Sequence, residues 1–160
     1  MFWLIVIGVL AFMLAPILWI IPSPRQKRQI ALRDVARKQG ILVQIGSLPQ
    51  SRRQRVRKEG QIPGLAYCLM LPKGARLARW RLWFNGEGEH DDVAGPPDSV
   101  RQKIAALGDA WPEDVILIEA SEQMLKVYWR EKNADVATVE ALVSAMTSIV
   151  EEIGPSNEVE

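Results

Sequence analysis

The one histidine of the chain, His90, stands in "EGEHDD" among Glu87, Glu89, Asp91 and Asp92. Carboxylate oxygens beside an imidazole are donors for a divalent cation. The spacing matches no calcium loop and no zinc motif, and the segment equally reads as an acidic, glycine-containing loop between a strand and a helix. The one cysteine, Cys68, lies in the apolar run "LAYCLML". A thiol there serves as a small buried hydrophobe, and as a nucleophile it would need an adjacent base. No phosphate-cradling glycine loop, HExxH or CxxC occurs. These residues assign no catalytic group, metal ligand or cofactor. The expected function is non-enzymatic; the alternative is an enzyme or metal-binding domain built on the His90 loop.

Binding chemistry is better represented. In "LARWRLWF" a strand would place Arg79, Arg81 and Trp83 on one face and Ala78, Trp80, Leu82 and Phe84 on the other. An Arg–Trp–Arg face suits recognition of a protein or a headgroup. The net charge of +1 hides a strong polarity. Residues 1–81 hold 15 of the 20 Lys and Arg against two acids, a net of +13, and residues 82–160 hold 5 bases against 17 acids, a net of −12. Such asymmetry between halves marks an interaction surface. One basic cluster includes Arg25, Lys27 and Arg28; the second is Arg52, Arg53, Arg55, Arg57 and Lys58 in "SRRQRVRK". The second lacks interleaved aromatics and any nucleic-acid motif. Anionic lipid headgroups or an acidic protein are its expected partners, and a nucleic-acid binder is the alternative.

What must position these groups begins with an anchor. Residues 1–21 carry no charged side chain, and about 20 helical residues span the roughly 30 Å hydrocarbon core of a bilayer. Trp3 and Trp19 would sit near the two headgroup layers, and Pro16 would kink the helix. A cleaved signal peptide would have a charged start and a shorter apolar run. The reading is a retained transmembrane helix over 1–22. The basic flank places the N-terminus outside and the remainder in the cytoplasm of a bacterial inner membrane. A single cysteine agrees with a reducing compartment.

Beyond the anchor, 23–40 reads as a basic juxtamembrane helix and 41–153 as an α+β domain, with 154–160 a frayed tail. Strands are expected at 41–45, 65–71, 77–84, 115–120 and 123–130, with "PKGAR" turning a hairpin between the second and third. The stretch 47–59 is a short helix capped by Ser47, or a loop. Helices are expected from Asp98 to Leu107 and over 137–153, the latter with Val139, Leu142, Met146, Ile149 and Ile153 on one side. The fold class is a small antiparallel sheet of four or five strands with helices on one face.

An N-terminal apolar run ending in Pro, then "PRQKRQ" and a small domain, resembles the YajC family of preprotein translocase accessory subunits. The likeness covers roughly the first forty residues. After Gly40 the family's glycine-rich strand segment is replaced by "ILVQIGSLPQSRR". The resemblance implies an accessory or adaptor subunit that binds a protein complex through its cytoplasmic domain, and it carries no site residues over.

Overall fold

The computed structural model describes residues 1–20 and 23–153, and side chains for 1–15 and 23–153. The chain forms two compact units, Met1–Ala31 and Leu32–Glu160. In the first unit α1 (Phe2–Ile20) is followed by the opening turns of α2 (Pro24–Lys38). Ser23 starts α2 with a reciprocal cap: its N–H donates to Gln26 Oε1 at 2.8 Å, and Gln26 N–H donates to Ser23 Oγ at 3.3 Å. Pro24 occupies the first helical position, where its missing N–H costs nothing.

The expected transmembrane anchor is corrected here. Among the described residues no helix is long and apolar enough to cross a membrane. The single-pass span, the inner-membrane location and the outside–cytoplasm assignment of the two ends fall with it. The roles expected of Pro16 and Trp19 lie outside the described side chains, and the tail 154–160 lies outside the described residues.

In the second unit the expected α+β domain is present, with five antiparallel strands: β1 (Ile41–Ser47), β2 (Pro63–Met70), β3 (Trp80–Trp83), β4 (Val115–Ser121) and β5 (Met124–Trp129). Their order across the sheet is β1-β2-β5-β4-β3. Between β1 and β2 lies the short helix α3 (Arg52–Val56), and α4 (Asp98–Ala106) separates β3 from β4. The last helix is α5 (Val136–Ile153).

β2 and β3 do not form the expected hairpin. β2 is already paired on both sides, with β1 and β5, so β3 has no free edge there. The connection instead passes the tip of the β4–β5 hairpin, where Leu71 N–H and Leu77 N–H donate to the carbonyls of Gln123 and Glu122. It then delivers β3 to the far side of β4.

One face of the sheet carries the main core. Tyr67, Trp80, Ile118, Leu125, Val127 and Trp129 bury there, with Leu32 and Ala36 of α2, Val100 and Ile104 of α4, and the expected α5 stripe of Val139, Leu142, Met146 and Ile149. The period-two alternation in β5 and the helical spacing in α5 are what bring these side chains to one layer. The opposite face holds a smaller cluster of Leu48, Ala66, Cys68, Leu117 and Tyr128, partly covered by Trp83. A Cβ on Gly64 would meet Leu48 Cγ at 2.9 Å, so only glycine lets Leu48 settle on that face.

A buried ion pair ties α2 to the sheet. Arg33 donates through Nε and its terminal nitrogen to the two oxygens of Glu131, at 3.0 and 2.7 Å, and Tyr67 O–H donates to Glu131 Oε1 at 2.8 Å. The Glu131 side chain is 1% exposed. Burial first, and Glu131 next, raise the Tyr67 pKa well above its ordinary value, so the phenol stays a donor. Replacing Arg33 by Met strands this carboxylate without a countercharge, at an expected cost of about 3–5 kcal/mol. Tyr67→Phe leaves the pair intact and should cost about 2 kcal/mol. Urea unfolding of both variants checks the order; equal losses would contradict it.

Candidate functional site

On the sheet face opposite α4 and α5, period-two alternation places Arg81 and Trp83 of β3 outward. Register sets Arg81 opposite Glu119 of β4, and Glu119 opposite Lys126 of β5. Arg81 Nε donates to Glu119 Oε1 at 2.8 Å, and its NH1 donates to both oxygens of Asp91 at 3.3 Å. Trp83 Nε1 donates to Asp91 Oδ2 at 2.7 Å, and Tyr128 O–H donates to Glu119 Oε2 at 3.4 Å. The Asp91 side chain is 1% exposed. Burial opposes the charge on Arg81, yet the two carboxylates outweigh it and hold the guanidinium above its usual pKa. Burial and then Glu119 raise the Tyr128 phenol likewise.

Asp91 belongs to the acidic loop, so this clamp pins that loop to the sheet. The rest of the loop then meets the second basic cluster. Arg53 donates to Glu87 Oε1, Ser51 O–H donates to Glu87 Oε2 at 3.0 Å, and Arg55 donates to Asp92 Oδ2 at 2.5 Å. Ser51, fully buried, also caps α3: its Oγ accepts from Gln54 N–H while Gln54 Oε1 accepts from Ser51 N–H. Five residues with four cations or polar groups have little reason to stay helical alone. The cap and the carboxylates of the loop supply that reason.

The predicted contact residues are therefore divided. Arg53 and Arg55 spend their charge inside the chain, while Arg52, Arg57 and Lys58 are exposed and form no ion pair among the described residues. Beside them Val56 is 73% exposed, at the rim of an open depression of about 450 Å³ lined by Arg52, Arg55, Val56 and Asp92. Arg25, Lys27 and Arg28 are exposed on α2, in the first unit. Arg79 is exposed and precedes β3, whereas Arg81 and Trp83 are half-buried with their polar groups used internally. His90 ends a short 3-10 turn, Glu87–His90, and is exposed. Three carboxylates of its loop, Glu87, Asp91 and Asp92, each serve an arginine. Among the described residues no group of three His, Cys, Asp or Glu could hold a metal ion. Burial pushes the Cys68 thiol up to about 11, so it is un-ionised at neutral pH.

Sequence reasoning missed Ser51, Glu119, Tyr128 and Glu131. Ser51 had a signal, since "SRRQ" fits the capping-box pattern. Glu119 becomes legible only once the strand register is known. The chain matches no family model, no curated protein and no solved structure.

The Arg55–Asp92 pair has a titration signature. Arg55, and then the hydrogen bond with Asp91, lower the Asp92 pKa from its ordinary value. A carboxyl depressed in the folded state stabilises above its unfolded pKa of about 3.9, and that contribution fades as pH falls through the folded value. Arg55→Ala should return Asp92 toward the ordinary carboxylate range in a carbon-13 carboxyl titration. An unmoved Asp92 would mean that the pair does not form in solution.

Proposed function

We propose that this chain is a non-enzymatic binding domain, an accessory or adaptor subunit that engages an acidic protein partner. The observation that carries the reading is the division of the second basic cluster. Two of its arginines are neutralised by the chain's own acidic loop, while Arg52, Arg57 and Lys58, close in sequence to the exposed Val56, are exposed and form no ion pair among the described residues. Cations around an apolar side chain suit a protein surface, where charge complementarity sets orientation and approach rate and a modest apolar contact slows release. Nucleic acid is less well served. Among the described residues no aromatic side chain lines the depression beside Val56, so a base has nothing there to stack on.

Changing Arg52, Arg57 and Lys58 together to glutamine should lower the affinity of the full chain for poly-glutamate about tenfold or more, with the thermal midpoint nearly unchanged because none of the three is buried or paired. Fluorescence anisotropy with labelled poly-glutamate, challenged by poly-uridylate, measures it. Preference for the polynucleotide, or an unaltered affinity in the triple variant, would sink the proposal.

A further inference from the structure

The two edges of the sheet are finished differently. On the β3 edge the strand is four residues long, and Arg81 N–H, which faces outward, donates to the carbonyl of Ala94 at 2.9 Å. The loop following β3 therefore caps that edge. The β1 edge has no such cover: among the described residues no backbone hydrogen bond reaches its outer side.

Register fixes which groups lie open. Ser47 stands opposite Pro63, which has no N–H to give, so this must be a non-hydrogen-bonded pair. The next pair outward confirms the phase, because Leu48 N–H donates to the Ile62 carbonyl at 2.9 Å. By alternation Leu42, Gln44 and Gly46 bond to β2. Val43, Ile45 and Ser47 then turn both N–H and C=O away from the sheet. Strand β1 reads "ILVQIGS", without a charge or a proline, and the β1–β2 register carries no bulge. Those are the devices by which soluble domains protect an edge. Leu42 and Ile45 are exposed as well, Ile45 at 76%.

We infer that the β1 edge takes an extended, acidic segment of the protein partner as a sixth strand. This rests on the proposed function and names the site at which it acts. Alternating N–H and C=O groups at strand spacing are the complement of another polypeptide. Exposed Leu42 and Ile45, on opposite faces of the strand, offer apolar contact to the segment's side chains on either face. Charge selects the occupant: exposed Lys38 lies three positions before the strand, and exposed Arg52, Arg57 and Lys58 follow it. A second copy of this chain is disfavoured by the same charges. Two β1 strands paired antiparallel would bring the Lys38 end of one copy beside the Arg52 end of the other.

Amide hydrogen exchange on the full chain tests this, with a short peptide of alternating valine and threonine flanked by glutamates as the probe. In the chain alone, Leu42, Gln44 and Gly46 amides should exchange slowly and those of Val43, Ile45 and Ser47 fast. The peptide should slow the second set about tenfold or more. Ile45→Pro removes only an outward N–H and a proline is tolerated on an edge strand; it should abolish peptide binding, and so should Ile45→Glu, which keeps the backbone and repels the probe. Slow exchange at Val43 and Ile45 in the chain alone would overturn the inference, because the edge would already be covered. Protection that rises with protein concentration without peptide would do the same, in favour of a dimer. If both Ile45 variants retain full peptide affinity while the Arg52, Arg57 and Lys58 triple variant loses it, the edge is refuted and the proposed function stands. Equal protection by a lysine-flanked peptide would refute the acidic partner in both.

Discussion

The Arg81 guanidinium lies between two carboxylates, Asp91 from the loop after β3 and Glu119 from the neighbouring strand. Much of the sheet's second face depends on that placement. A loop rich in acids and glycines has no apolar reason to lie on a sheet, and its backbone freedom opposes doing so. Asp91, buried and bonded by both Arg81 and Trp83, supplies the attachment. Once the loop is fixed, Glu87 and Asp92 stand where Arg53 and Arg55 can reach them, and α3 acquires partners for charges that would otherwise repel one another. Glu87 in addition accepts from the Ser51 hydroxyl that caps α3.

The domain thus closes its two sheet faces by different physics. Helices α4 and α5, with the end of α2, bury an apolar layer on one side. On the other, a small apolar cluster is fenced by ion pairs and hydrogen-bonded aromatic tips. Apolar burial offers no charge for salt to screen, whereas the exposed members of the fence are screened by it. The second face is consequently the part of the domain most open to ionic conditions. The polarity between the two halves of the sequence is partly consumed in building this fence, and the cations left over define the surface to which a partner is assigned.

Legibility in the sequence followed the range of the interaction. The alternation of Leu125, Val127 and Trp129 and the stripe from Val139 to Ile149 are local patterns, and they mark the core as observed. The hairpin assigned to "PKGAR" was a local pattern too, but β5 competes for β2 and wins through long-range pairing. The ion pairs of Arg53, Arg55 and Arg33 join residues 34, 37 and 98 positions apart, and no spacing rule spans such distances. Glu131, in "REKNAD", looks like a surface acid until the fold sets it against Arg33 and Tyr67. Hydropathy and the basic flank together suggest a membrane span at the N-terminus, yet among the described residues no helix is long and apolar enough to cross a membrane.

A double-mutant cycle across Arg81 and Asp91, using Arg81→Gln and Asp91→Asn in the full chain, shows whether this guanidinium holds the loop on the sheet. Each single change leaves a partner without its counterpart in a largely buried site. Strong non-additivity in unfolding free energy is expected, with a coupling of about 1–3 kcal/mol. Asp91→Asn alone should also raise the Asp92 pKa, because the loop loses its hold on the sheet and Asp92 its position beside Arg55. Additive losses, with Asp92 unmoved, would show that the loop is held by something other than Arg81.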